Sequence, residues 1–170
     1  MNAAREGELD SMKNTTVERK SERERVVTRT VHGPARLVFE AWTQAELFRQ
    51  WWVPRSMGLS LLSCEMDARV GGTYRLVFRH GEAESMEFHG RYLEAVPYSR
   101  LVWTNEEGES GAITTVTFEE KDGNTVVVMH DLHPSKEALD AESGMEAAIA
   151  ETFDQLDELL VTLGASAAPS

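Results

Sequence analysis

Residues 144–164 read GMEAAIAETFDQLDELLVTLG, and this stretch decides the fold. Apolar side chains recur in it at helical spacing, whereas the acidic side chains lie mostly on the opposite side. The apolar stripe consists of Met145, Ile149, Thr152, Phe153, Leu156, Leu159, Leu160 and Leu163. The pattern predicts an amphipathic helix of about twenty residues, roughly 30 Å long, which is enough to cross a small domain.

The chain before this helix has the period of two that is typical of β-strands. In the stretch 73–79, for example, Tyr74, Leu76 and Phe78 alternate with mostly more polar residues. The pattern predicts a first strand, two short helices and then a series of further strands. The strands are expected at 24–32, 59–69, 73–79, 85–96, 100–105, 113–120 and 125–132, and the short helices at 35–42 and between Thr43 and Pro54.

Antiparallel strands in series, followed by one helix with a single apolar face, predict an α+β fold. The sheet must bury one face, and only the C-terminal helix is large enough to cover it. We therefore expect a helix-grip architecture, in which a curved antiparallel sheet of about six or seven strands wraps the long helix. The domain should span residues 23–164, with an apolar cavity between sheet and helix.

The two ends of the chain are expected to be disordered tails, residues 1–22 and 165–170. Both hold too few apolar residues to offset the entropy cost of ordering them. Met12 is an alternative translation start, which would make the first eleven residues dispensable.

Composition excludes several classes of function. The net charge is −12, from 29 acidic and 17 basic residues, which argues against nucleic acid or an anionic membrane as the main partner. The sequence shows no apolar run of the ~20 residues needed to cross a bilayer, so membrane insertion is not expected. It also shows no secretory signal, so we expect a cytoplasmic location. The single cysteine, Cys64, rules out an intramolecular disulfide, and its apolar strand-like setting favours packing over nucleophilic chemistry.

Six short motifs follow one another in a fixed order between residues 24 and 163. They are Val38-Phe39-Glu40-Ala41-Trp42-Thr43, Gln50-Trp51-Trp52-Val53-Pro54, Val70-Gly71-Gly72-Thr73-Tyr74-Arg75, Gly90-Arg91-Tyr92-Leu93-Glu94, Arg100-Leu101-Val102-Trp103-Thr104, and Ser143-Gly144-Met145-Glu146 leading into Leu156-Asp157-Glu158-Leu159-Leu160. The series resembles the homologues of the activator of the ninety-kilodalton heat-shock chaperone ATPase, in the START-like (polyketide cyclase/dehydrase and lipid transport, SRPBCC) superfamily. The resemblance implies the helix-grip fold. It leaves function open, because that superfamily spans lipid carriers, hormone receptors, cyclases and co-chaperone modules.

The predicted ligand site is the apolar concavity between the sheet and the long helix. Ligand sites are usually concave and mainly apolar, with a few placed polar groups. Tyr74 and Trp103 would contribute a hydroxyl and an indole N–H. The residues expected to bind the ligand are Phe39, Phe48, Trp51, Tyr74, Leu76, Phe78, Met86, Phe88, Trp103, Met145, Ile149 and Phe153. The alternative is that these side chains fill the interior and leave no cavity.

Polar residues offer weaker candidates. His130, Asp131 and His133 are the most metal-like group, but residues 130 and 133 of a strand point to opposite faces, so no metal site and no cofactor are expected. Glu94 and Asp67 are strand carboxylates that could face inward as acid–base groups. The sequence shows no nucleophile elbow, phosphate loop or dinucleotide fingerprint, and no catalytic residue is assigned.

Three functions are compatible with these features. The first is binding of a small hydrophobic or amphipathic molecule in the cavity. The alternatives are a chaperone-linked or other protein-interaction module, in which the acidic loop 106–111 would matter, and a cyclase- or hydratase-type enzyme that uses the same cavity. The absence of a catalytic motif favours binding over catalysis, by a monomer or a homodimer.

Overall fold

The computed structural model describes residues 15–106, 111–142 and 144–167, with side chains described to residue 164. Its strands are β1 (Thr15–Arg19), β2 (Glu24–Val31), β3 (Leu59–Met66), β4 (Thr73–His80), β5 (Met86–Val96), β6 (Arg100–Thr104), β7 (Ile113–Lys121) and β8 (Asn124–Leu132). Its α-helices are α1 (Ala35–Thr43), α2 (Ala45–Phe48), α3 (Lys136–Asp140) and α4 (Glu146–Ala167), and a 3-10 turn spans Arg55–Met57.

The eight strands form one curved antiparallel sheet in the order β1-β2-β8-β7-β6-β5-β4-β3. Most neighbours are joined by short turns; β7 and β8, for example, pair from Ile113↔Leu132 to Lys121↔Asn124. Asp122 and Gly123 in this two-residue turn both have positive φ, 55° and 82°, which matches the twist of an antiparallel hairpin. The sheet and the long C-terminal helix confirm the predicted α+β helix-grip fold.

Helix α4 lies on the concave face of the sheet. Phe153, Leu156 and Leu160 of its apolar stripe are fully buried in the core. Polar contacts also join the helix to the sheet. Arg29 of β2 contacts Asp154 at 2.9 Å and Asp157 at 2.6 Å, and both carboxylates belong to α4. Within the described ranges, no helix is both long and apolar enough to span a membrane.

The sheet has one strand more than the sequence pattern predicts. Thr15–Arg19 falls in the predicted N-terminal tail but pairs with β2 along its whole length, so the prediction of disorder is wrong for this segment. Thr15 is buried there and accepts a hydrogen bond from Arg29 Nη1 at 2.7 Å. Residues 1–14 of the predicted tail lie outside the described residues.

The helices also differ in their limits. Helix α4 continues to Ala167, so the prediction of a disordered C-terminal tail is wrong for residues 165–167, and residues 168–170 of that tail lie outside the described residues. A separate short helix, α3, precedes α4. The Ser135 hydroxyl accepts a hydrogen bond from the Ala138 amide and so caps the first turn of α3.

Helices α1 and α2 bring an aromatic cluster to one end of the core. Trp51 is fully buried, and its indole N–H donates to the Ala41 carbonyl at 2.9 Å. Trp42 packs edge-on against Trp51 at 4.8 Å between ring centroids, and Phe48 stacks on Trp52 at 4.8 Å. These rings form a rigid boundary for the space between helix and sheet.

Candidate ligand-binding site

A cavity of about 860 Å³ lies between the inner face of the sheet, helices α3 and α4, and the segment 51–59. This volume is in the range typical of small-molecule sites, roughly 300–1,000 Å³. Of the residues predicted to bind a ligand, those on the cavity wall are Phe48, Trp51, Tyr74, Leu76, Phe78, Met86, Phe88, Trp103, Met145, Ile149 and Phe153.

Phe39 is the exception among the predicted residues. Its ring packs edge-on against Tyr98 at 5.8 Å and Phe118 at 5.6 Å, and it does not line the cavity. Helical spacing correctly predicts that Phe39 is buried, but it does not show which neighbours a buried ring meets.

Several aromatic and apolar wall residues were not predicted. Trp42, Trp52, Tyr92 and Met129 all line the cavity. Trp42 lies on the predicted apolar face of α1, and Tyr92 alternates correctly along its strand, so both had a sequence signal. With Trp51 and Trp103, every one of the four tryptophans of the chain borders this space.

Three methionines lie where the cavity meets solvent. Met57, Met86 and Met145 line the cavity, yet they are 38%, 44% and 37% exposed. Methionine side chains adapt to irregular shapes, so this rim can accommodate bodies of different outline.

The wall segment 51–55 is fastened to helix α4 by one buried amide. Gln155 donates from Nε2 to the carbonyls of Trp51 at 2.9 Å and Val53 at 2.8 Å. Its Oε1 accepts from the Arg55 backbone N–H at 2.9 Å. All three contacts are with backbone, so Gln155 positions the segment independently of its side chains.

One row of the inner sheet face is polar. Arg25 of β2 stands opposite Asp131 of β8, and Asp131 stands opposite Thr114 of β7, so the three side chains share one face. Asp131 accepts from Arg25 Nη2 at 3.0 Å through one carboxylate oxygen and from the Thr114 hydroxyl at 2.6 Å through the other. All three residues line the cavity.

The hydrogen-bonded row continues to the next strands. Asn105, just after β6, donates from Nδ2 to Thr114 Oγ1 at 3.1 Å and to the Ala112 carbonyl at 3.0 Å. The Tyr74 hydroxyl lies 3.2 Å from Asn105 Oδ1 and donates to the Thr104 carbonyl at 2.8 Å. We call Arg25, Asp131, Thr114, Asn105 and Tyr74 the polar row.

A second pair extends this polar end toward helix α4. Glu142, in the connection between α3 and α4, contacts Arg25 Nη2 at 3.4 Å and pairs with Nε2 of the buried His133. His133 Nδ1 and Trp42 Nε1 are buried without a hydrogen-bond partner among the described residues. The cavity therefore has an apolar aromatic body and one polar end.

Two ionisable groups near the core keep their protons at neutral pH. Burial raises the pKa of Tyr92 well above its ordinary value, because the phenolate would lose its hydration. Burial also raises the pKa of the Cys64 thiol, whose sulfur lies 3.9 Å from the Ala45 carbonyl. Neither group is disposed toward nucleophilic chemistry.

Of the weaker polar candidates, Asp131 and His133 line the cavity, whereas Glu94, Asp67 and His130 do not. Glu94 pairs with Arg100 at 3.3 Å and Asp67 with Arg69 at 2.9 Å, and neither carboxylate lines it. His130 contacts Glu24 at 2.9 Å, away from His133 and Asp131. In the part of the chain that the structure describes, no three histidine, cysteine, aspartate or glutamate residues cluster as metal ligands would.

Comparison with known proteins identifies one matching family. The model of the family described as activator of Hsp90 ATPase homolog 1-like protein matches residues 32–161. No curated protein matches the chain significantly.

Solved structures share the fold over nearly the whole of their chains. A crystal structure of a protein from Rhodobacter sphaeroides is 22% identical with a TM-score of 0.80, and the match covers 88% of this chain and 99% of that one. A protein from Nitrosomonas europaea is 23% identical with a TM-score of 0.77, covering 86% and 99%. A solution structure of a protein from Staphylococcus epidermidis is 26% identical with a TM-score of 0.74, covering 87% and 94%.

Proposed function

The chain belongs to the activator of Hsp90 ATPase homolog 1-like family, and we propose that it binds one small apolar or amphipathic molecule in the cavity between sheet and helix. The observation that carries the proposal is the open volume of about 860 Å³ behind a wall of aromatic and aliphatic side chains. An interior of this size left empty would forfeit the dispersion contacts that its wall could make. A ligand of matching shape restores them.

The expected affinity follows from the size of a ligand that fits. At about 0.3 kcal/mol per non-hydrogen atom, a molecule of ~20 such atoms gains roughly 6 kcal/mol. That free energy corresponds to a Kd in the tens of micromolar range. Binding assays should therefore cover low micromolar to near-millimolar ligand.

The first experiment is a titration with the neutral fluorophore N-phenyl-1-naphthylamine. Because all four tryptophans border the cavity, occupancy should quench their emission and transfer energy to the probe. We expect saturation at one probe per chain. Thermal-shift assays with a panel of lipids, flavonoids and aromatic acids come next. Compounds of the natural ligand class should raise the melting temperature of the protein.

A matched pair of substitutions locates the site. Ala148 lies on the cavity wall of helix α4, whereas the neighbouring Ala147 is exposed and lies off the wall. Ala148→Phe should weaken probe binding at least tenfold by occupying the ligand's space, and Ala147→Phe should leave binding unchanged.

Equal effects of the two substitutions, or no saturable binding by the native chain, would contradict the proposal. That result would favour the protein-interaction alternative, which places function on the outer surface.

A further inference from the structure

We propose that the ligand carries an uncharged hydroxyl group at one end, which lies against the polar row, and that the cavity discriminates against anionic head groups. This inference rests on the proposed function, because it concerns what occupies the same cavity. It adds the chemistry of the ligand's polar end to the apolar character of its body.

The first step is the charge balance of the wall. Among the described residues, Arg25 is the one cationic side chain that lines the cavity, against the carboxylates of Asp131, Glu137 and Glu142. Arg25 Nη2 already contacts both Asp131 and Glu142. A carboxylate or phosphate entering this end would give up its hydration and face an excess of negative charge, which is strongly unfavourable.

The second step is the direction of the hydrogen bonds within the polar row. The Thr114 hydroxyl donates its hydrogen to Asp131, and both amide hydrogens of Asn105 are used on Thr114 and Ala112. Each Asp131 oxygen accepts one hydrogen bond, and a carboxylate oxygen has a second lone pair. The capacity left at Asp131, in the centre of the row, is thus for accepting, which a ligand hydroxyl meets by donating.

The third step concerns groups that lack a partner. Three nitrogen atoms of residues that line the cavity are buried without a hydrogen-bond partner among the described residues: His133 Nδ1, Trp42 Nε1 and Arg25 Nε. Of these, Trp42 Nε1 and Arg25 Nε are donors. A hydroxyl group can donate to Asp131 and accept from a donor of the wall, whereas a carboxylate only accepts.

The test compares two molecules that share a chain and differ in the head group, 1-decanol and decanoate at pH 7.5. Each displaces N-phenyl-1-naphthylamine from the full-length protein. The two affinities are first corrected for the difference in partition of the two molecules to a neutral organic phase. We then expect 1-decanol to bind on the order of tenfold or more tightly than decanoate.

Three variants assign any discrimination to the polar end. Glu142→Gln and Asp131→Asn each remove one negative charge from the wall and should reduce the preference for 1-decanol to about threefold or less. Glu146→Gln removes one negative charge from the exposed start of helix α4, off this wall, and should leave the preference unchanged. Because Glu142 is half exposed, Glu142→Gln is expected to fold even if Asp131→Asn does not.

The outcomes separate the two proposals. If the fluorophore binds but decanoate displaces it as well as 1-decanol does, or neither displaces it, the hydroxyl inference is overturned and apolar binding stands. The hydroxyl inference is also overturned if the Glu142→Gln variant prefers 1-decanol over decanoate as strongly as the native chain does. If the fluorophore itself does not bind, the proposed function fails.

Discussion

Gln155 shows how a single buried side chain can hold a wall of the site. Its amide forms hydrogen bonds with two carbonyls and one N–H of the segment 51–55. Gln155 is itself buried on helix α4, so water does not readily replace these bonds. Gln155→Ala leaves those groups unpaired, so we expect a loss of about 2–3 kcal/mol in the free energy of unfolding. Urea unfolding followed by tryptophan emission measures it.

The control for this substitution is Gln50→Ala. Gln50 is exposed, and its amide makes one bond to the Glu46 carbonyl at 2.8 Å. Its loss should cost less than about 0.5 kcal/mol. If both variants unfold at the same urea concentration, Gln155 does not hold the segment.

Gly90 of β5 is required for a steric reason. A Cβ at this position would lie 1.8 Å from the Thr104 carbonyl oxygen and 2.8 Å from Tyr74 Cε1, so the backbone of two strands would have to separate. Gly90→Ala should therefore destabilise by at least about 4 kcal/mol, as measured by the drop in Tm or in the urea midpoint.

Gly164 provides the comparison, because it lies in helix α4 with nothing within 4 Å of its added Cβ. Gly164→Ala should stabilise by up to about 1 kcal/mol through helix propensity. A mild effect of Gly90→Ala would show that β5 and β6 are not in the close contact described.

At the scale of elements, the attachment of helix α4 to β2 depends on an ion-pair cluster as well as on apolar packing. Arg29 is 4% exposed, bonds to Asp157 and Asp154, and also donates to Thr15 of the edge strand β1. Arg29→Met leaves the partly buried Asp157 carboxylate without its cation. Removing one partner of such a pair costs about 3–5 kcal/mol, which urea unfolding should detect.

The matched control is Arg55→Met, which removes an ion pair with Glu158 in which both side chains are well exposed. Exposed pairs contribute about 0–1 kcal/mol, so this variant should unfold close to the native midpoint. Similar losses in the two variants would mean that burial of Arg29 does not strengthen its pairing.

At the scale of the whole molecule, alkaline pH should weaken the fold through Tyr92. Its pKa is raised in the folded state, so above about pH 10 the unfolded chain loses a proton that the folded chain retains. The free energy of unfolding therefore falls as pH rises beyond that point. Tyr92→Phe should lose less stability between pH 9 and pH 11 than the native chain does, measured by urea unfolding at each pH.

Tyr98→Phe serves as the control, because Tyr98 is half exposed on the outer surface. It should follow the native chain across the same pH range. Identical pH profiles for all three proteins would show that Tyr92 is not the group responsible.

The sequence predicts much of this molecule, and the failures have physical causes. The period of two and the long helical stripe suffice for strands β2 to β8 and for α4, because each buries one face. Strand β1 is not predicted, because Thr15–Arg19 has few apolar residues and depends on backbone pairing with β2. Much of the apolar wall is predictable from alternation along the strands and from the helical stripe of α4. Phe39 was wrongly included, however, and Trp42, Trp52, Tyr92 and Met129 were not predicted.

The polar row could not be predicted in the same way. Arg25, Thr114 and Asp131 come from strands far apart in the chain, and only the register of β2, β8 and β7 makes them neighbours. A single polar residue on a strand gives no sign of which partner it will face.

The pairing of β2 with β8 also bears on how the protein is made. Strand β2 is synthesised early, yet its partner Thr125–Leu132 leaves the ribosome about a hundred residues later. Until then β2 has only β1 beside it, its other edge keeps unpaired backbone N–H and C=O groups, and contacts of such long range are slow to form. We expect the nascent chain to depend on protection from aggregation until the last strand emerges.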